Sequence, residues 1–149
     1  MSSSRNAFVF RGGCHCGQLR AAFTTALDPA SIVPRACDCS FCQKHGATYV
    51  SDPAGQLTVS VQAPETLRRY QQGSSSADFL ICDRCGVFVA VIFEHNARIY
   101  GALNARSLEG NVGFAAAIPA SPQLLAPSDK AERWLRLWVP DVELIASGT

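Results

Sequence analysis

Seven cysteines constrain this chain more than any other feature. They fall into three clusters: Cys14-x-Cys16, Cys37-x-Cys39-x-x-Cys42 and Cys82-x-x-Cys85. An odd number of closely spaced thiols argues against a disulfide framework. The start, Met1 to Asn6, leads into only four apolar residues, too few for a signal-peptide h-region. Clustered thiols in a chain without an export signal argue for bound metal in a reducing compartment, so the expected location is cytoplasmic.

Two of the clusters read as zinc knuckles. Cys14, Cys16, Cys82 and Cys85 sit in turns flanked by strand-like sequence, each followed by glycine, Gly17 or Gly86. Glycine permits the positive φ that a tight thiolate turn needs, and turned backbone can aim N–H groups at sulfur. Four thiolates satisfy tetrahedral zinc, so these four are the expected ligands of a structural site. Such a site would tie the first hairpin to a strand far along the chain.

The second cluster then has three thiolates, Cys37, Cys39 and Cys42. Three protein ligands and an open position is the arrangement of catalytic zinc, and all-sulfur ligation favours zinc over Mg²⁺ or Ca²⁺. A thiol entering the fourth position would have its pKa lowered and be held as a nucleophile. His45, three positions after Cys42, offers a possible fourth ligand that would close the site instead. His15 and His95 are weaker ligand candidates.

The rest of the chain reads as one globular domain over residues 1–149. With 149 residues, 48% hydrophobic and 17% charged, it can bury a core. No apolar run approaches the ~20 residues of a membrane helix. The formal net charge of +1 lacks the basic surplus of a nucleic-acid binder. Two zinc ions add four charges and seven thiolates remove seven, leaving a holo-protein near −2. Neither nucleic acid nor a membrane is expected as partner.

Strand-like stretches are Ala7–Phe10, Leu19–Thr25, Leu57–Val61, Phe79–Ile81, Val87–Phe93 and Arg98–Leu103. The Val87–Phe93 run has the composition of a strand buried on both faces. Gln72–Ser76 reads as a flexible loop, and residues 104–127 give weak signals. A short helix is expected at about 129–139. Asp129 and Glu132 have capping-box spacing, and Pro140 stops the helix. Ala131, Trp134, Leu135 and Trp138 share one face, which should dock on the core.

Taken together, Gly13-Cys14-His15-Cys16-Gly17, Cys37-x-Cys39-Ser40-x-Cys42-x-x-x-Gly46, Phe79-x-x-Cys82-x-x-Cys85-Gly86 and Gly101-Ala102-Leu103 closely resemble the glutathione-dependent formaldehyde-activating enzyme family, which includes centromere protein V-like domains. The resemblance runs from about Phe10 to about Leu103. It implies a mainly β, Mss4-like fold of small antiparallel sheets with zinc knuckles, to which the short C-terminal helix is added. It implies two zinc ions per chain, a structural one on Cys14, Cys16, Cys82 and Cys85 and a catalytic one on Cys37, Cys39 and Cys42. It also implies a carbon–sulfur lyase activity that condenses formaldehyde with glutathione to S-hydroxymethylglutathione.

Two functions therefore lead, ahead of a thiol-based redox or metal sensor, which tightly coordinated thiolates serve poorly. One is a zinc-dependent lyase-type enzyme acting on a glutathione-like thiol and a small aldehyde. The other is a non-catalytic, zinc-stapled protein-binding module. An open or exchangeable fourth position on the second metal belongs to the enzyme, and a closed one to the module. Glutathione would also need cations for its carboxylates, and Lys44 and Arg84 stand beside the clusters in sequence.

Overall fold

The fold is that of a computed structural model describing residues 7–71, 77–110, 112–121 and 125–146. The expected loop at Gln72–Ser76 lies outside these residues. Among the described residues, eleven strands form two sheets. The smaller contains β1 (Phe8–Gly13), β2 (Leu19–Thr25), β5 (Gln56–Val61) and β11 (Glu143–Ala146), in that order. The larger runs β10 (Ile118–Ala120), β3 (Arg35–Cys37), β4 (Tyr49–Val50), β9 (Arg98–Asn104), β8 (Phe88–His95), β7 (Asp78–Cys82) and β6 (Leu67–Tyr70). Two helices, α1 (Ser40–His45) and α2 (Pro127–Leu137), complete the chain. Pairing is antiparallel except at two edges, where β10 joins β3 and β11 joins β5 in parallel.

Alternation along the strands explains the layering. In β2, every second residue from Leu19 to Thr25 is buried, and Leu57, Val59 and Val61 of β5 do the same. These side chains pack against Leu80, Val89, Ile92 and Leu103 of the larger sheet. Each fully buried Leu, Val or Phe contributes roughly 1.5–3 kcal/mol relative to exposure. The opposite face of the larger sheet carries Phe79, Phe88, Val91, Phe93 and Ala102, packed against α1, Trp134 and Trp138.

Strand β8 is thus buried on both faces, as its hydrophobic run suggests; Phe88 to Phe93 are all buried. Its register against β7 shifts between Leu80 and Ile81, so that Leu80 pairs with Ala90 and Ile81 with Phe88. The residue skipped is Val89. A bulge re-aims side chains, and this one puts Phe88 on the same face as Val91 and Phe93.

Several expected boundaries move. The first strand continues to Gly13 rather than stopping at Phe10. Helix α2 starts two residues before Asp129, with Pro127 in its first turn and Ala126 at the N-cap, where no side chain caps it. The Asp129/Glu132 capping box is therefore not formed, because Pro127 is already suited to the first helical position. Asp129 instead lies in the first turn, where a negative charge suits the helix dipole. The helix ends at Leu137, and Trp138 turns to extended geometry, φ −84° and ψ 159°. Val139 then pairs with Gly101 of β9. The expected apolar face does dock: Ala131, Trp134, Leu135 and Trp138 all pack into the second cluster of core residues. No helix among the described residues is long and apolar enough to cross a membrane.

Candidate metal centres

The β1–β2 turn and the β7–β8 turn bring Cys14, Cys16, Cys82 and Cys85 together, their four sulfurs all within 4.8 Å of one another. Cys14 Sγ lies 3.7 Å from Cys16 Sγ, and Cys16 Sγ 3.6 Å from Cys82 Sγ. A disulfide would place two sulfurs about 2.05 Å apart, so these separations are not those of a disulfide. Zinc–sulfur bonds near ~2.3 Å give a tetrahedron with edges of about 3.8 Å. The observed separations match that edge, so the residues fit a zinc ion.

The local backbone supports this arrangement. The Leu19 amide donates to Cys14 Sγ at 3.2 Å, and the Cys85 amide to Cys82 Sγ at 3.5 Å. Gly17 and Gly86 take φ of 90° and 81°, with open space around them. Their requirement is therefore backbone sign rather than room. Burial opposes ionisation of Cys85, but amides of Cys16 and Val87 and the Cys82 side chain outweigh it and bring the thiol down to about 6. Burial pushes Cys82 up to about 11. Four such sulfurs need a cation among them to be ionised together.

The second group faces the other core. β3 supplies Cys37, Cys39 is the N-cap of α1, and Cys42 lies inside that helix. Their three sulfurs also lie within 4.8 Å of one another. The Cys42 amide donates to Cys39 Sγ at 3.4 Å, so the thiol does the work usually done by a capping hydroxyl. Cys37 is pulled down to about 6, first by the hydrogen bond from the Cys42 side chain. The same bond, with burial, pushes Cys42 up. Three convergent sulfurs are a soft donor set, which suits zinc.

Sequence spacing did not mark Tyr49. Its hydroxyl is 2.9 Å from Cys42 Sγ, and the residue is buried. Burial first, and then the nearby cysteines, hold its pKa well above the ordinary phenol value. Tyr49 is therefore neutral and donates to the Cys42 sulfur. Around it, Phe41 packs on Phe79 at 4.6 Å and on Phe88 at 5.3 Å between ring centroids. The β8 bulge thus delivers Phe88 to the wall of this cluster. Trp134 and Trp138 of α2 stack at 4.7 Å and belong to the same apolar cluster as Cys39 and Cys42.

His45 is placed differently from the three cysteines. It is exposed at the end of α1, its ring 4.4 Å from that of Phe41 and 5.7 Å from that of Phe88. Its nitrogens are not among the converging donor atoms. His15 is exposed, and His95 stacks on Phe93. Lys44 and Arg84 are both exposed. A different cation, Arg35, is half-buried at the start of β3. Burial first, and then the charge of Arg133, lowers it to about 10, which leaves it cationic at neutral pH.

A family model described as glutathione-dependent formaldehyde-activating enzyme matches residues 9–115. A crystal structure of a Rhodobacter sphaeroides protein, solved as a structural-genomics target, is also similar. It is 27% identical with a TM-score of 0.50, covering 72% of this chain and 99% of that one.

Proposed function

We propose, for a chain that belongs to the glutathione-dependent formaldehyde-activating enzyme family, a zinc-dependent carbon–sulfur lyase-type activity that joins a glutathione-like thiol to formaldehyde or another small aldehyde. The observation that supports this reading is the unequal count of converging sulfurs, four in one cluster and three in the other. Four thiolates complete a tetrahedron, whereas three leave a position for an incoming ligand. In this reading Cys14, Cys16, Cys82 and Cys85 hold a structural zinc, and Cys37, Cys39 and Cys42 hold a second one. A zinc ion on the second cluster would lower the pKa of an entering thiol and keep it as the nucleophilic thiolate.

The reaction needs no oxidant. The thiol loses its proton, and a sulfur lone pair forms the C–S bond to the carbonyl carbon. The C=O π pair moves to oxygen, which takes up a proton, giving a hydroxymethyl thioether. Cys37, Cys39 and Cys42 are held in place by β3 and the first turn of α1. Tyr49 donates to Cys42 and withdraws charge from that sulfur, so less of it reaches the metal. Phe41, Phe79 and Phe88 supply an apolar wall, which reduces competition from water.

Formaldehyde and thiols equilibrate without a catalyst, so the test is an exchange rate. With ¹³C-formaldehyde and glutathione at equilibrium, magnetisation-exchange NMR reads the interconversion of free and adduct carbon. Zinc-loaded protein should accelerate it, and Cys39→Ser should abolish the acceleration while remaining folded. Wild-type protein carrying two zinc ions and giving no acceleration would overturn the reading.

A further inference from the structure

The face of the larger sheet that packs on the smaller one does not stay apolar to its end. Arg69 of β6 stands opposite Leu80, Asp78 of β7 opposite Ile92, and Glu94 of β8 opposite Ile99. Residues opposite each other across an antiparallel pair share a face. Leu80 and Ile92 belong to the core between the sheets, and Ile99 packs against it. Arg69, Asp78 and Glu94 therefore lie on the side of that core, at the margin where β11, an edge strand of the smaller sheet, contributes Leu144. Neither cysteine cluster is at this margin. Asp78 begins β7 and Cys82 ends it, and the second cluster packs with the core on the opposite face.

A cleft of about 230 Å³ opens there, with Ile92, Ile99 and Leu144 on its apolar side and Arg69, Asp78 and Glu94 on its polar side. The polar groups are unequally satisfied. Arg69 Nη1 donates to Asp78 Oδ2 at 3.2 Å, and Gln71 Nε2 donates to Asp78 Oδ1 at 2.7 Å. Both oxygens of Asp78 are thus engaged, and the charge of Arg69 is matched. The Glu94 carboxylate is exposed and has no hydrogen bond or ion pair among the described residues. With Arg69 and Asp78 cancelling, Glu94 leaves the cleft a net charge of −1. Apolar surface beside an unmatched carboxylate suits a ligand that is cationic at one end and hydrocarbon along the rest. A divalent metal ion fits poorly, because it takes roughly six or more oxygen ligands and one carboxylate is free. At roughly 30 Å³ for each water-sized atom, the cleft has room for about seven non-hydrogen atoms.

We propose that this cleft is a binding site for a small primary alkylammonium ion, separate from both cysteine clusters, with the ammonium on Glu94 and the alkyl stem on Ile92, Ile99 and Leu144. The ammonium brings three N–H donors to the two acceptor oxygens of Glu94. Each methylene of the stem that leaves water on the apolar side strengthens binding by up to about fourfold. An alkyl carboxylate of the same length meets Glu94 with like charge and finds Arg69 already held by Asp78.

The test titrates n-pentylamine hydrochloride into zinc-loaded protein at neutral pH and follows the methyl NMR signals of Ile92, Ile99 and Leu144. Those signals should move together and saturate. Pentylammonium should bind roughly 3–10-fold more tightly than n-pentanol, the range for a charge-assisted contact at a partly exposed carboxylate. It should bind roughly tenfold more tightly than methylammonium, which lacks the stem. Glu94→Gln should reduce pentylammonium to the level of pentanol, while pentanol binding and the melting temperature stay near those of wild type. The substitution lies on an exposed side chain with no partner to lose, so the fold is not at risk. Absence of a saturable shift at the three side chains would overturn the site. So would pentanoate binding as tightly as pentylammonium, methylammonium binding as tightly, or Glu94→Gln binding pentylammonium as wild type does.

Discussion

Replacing Cys82 with serine should cost far more stability than replacing Cys39. Cys82 is buried at the end of β7, with its sulfur 3.6 Å from that of Cys16, 66 positions earlier. A metal joining these residues closes a loop of that length. By the loop-entropy relation used for cross-links, such closure stabilises the folded state by about 4 kcal/mol. That is a large share of the roughly 5–15 kcal/mol of a typical domain. For a chain this size each kcal/mol moves the melting temperature by about 2–4 °C, so Cys82→Ser should lower it by roughly 10 °C. Cys39 closes only a short loop to Cys37 and Cys42, worth about 2 kcal/mol at most because β3 and α1 already hold its ends. Serine also keeps the N-cap that Cys39 provides to α1. The assay is a thermal melt of zinc-loaded wild type, Cys82→Ser and Cys39→Ser, with formaldehyde–glutathione exchange measured on each. Equal melting losses in the two variants would refute the division into a structural and a second, functional site.

Three further outcomes follow from the same geometry. Freshly purified protein should hold about two zinc ions per chain. Each cluster has a thiol whose ionisation is favoured over that of an ordinary cysteine, and bound metal keeps protons off the sulfurs, so zinc should stay bound at neutral pH and be released only on acidification. Elemental analysis across a pH series checks both points, and half-release at neutral pH would contradict them. His45→Ala should leave zinc affinity nearly unchanged, because its ring packs on Phe41 and Phe88 outside the converging sulfurs; a loss of roughly 10–100-fold in a chelator competition would identify it as a ligand. Tyr49→Phe removes the donor to Cys42, costing about 1 kcal/mol. It should shift the sulfur-to-metal charge-transfer band of cobalt-substituted protein, and an unchanged band would mean that the hydroxyl does not act on the sulfur.

Much of this was legible in the sequence for definite reasons. The knuckles announce themselves because ligand spacing and glycine are local properties. Strand β2 falls on its expected span, Leu19–Thr25, because seven alternating residues leave little ambiguity. The apolar face of α2 was equally visible, although its start was not, since Pro127 set it instead of Asp129. The surroundings of the second cluster were hidden for the opposite reason. β3 has three residues and β4 two, too few for any period to show. The closeness of Arg35 to Tyr49 comes from a single long-range pairing. β10 escaped notice because it is a three-residue edge strand containing Pro119, a residue that cannot donate to a ladder. Phe88 reaches the site through a bulge, which hydrophobicity alone does not mark.

The central claim is that the metal on Cys37, Cys39 and Cys42 keeps a position open for a thiol. Cobalt substitution tests it directly, because thiolate-to-cobalt charge-transfer intensity counts bound sulfurs. Protein loaded with cobalt at the second centre and zinc at the first should show the band of three thiolates. Adding glutathione should raise it toward that of four, in a saturable titration. A band that does not respond to glutathione, in protein that loses the metal on His45→Ala substitution, would mean a site closed by imidazole. The chain would then be a zinc-stapled binding module rather than a lyase.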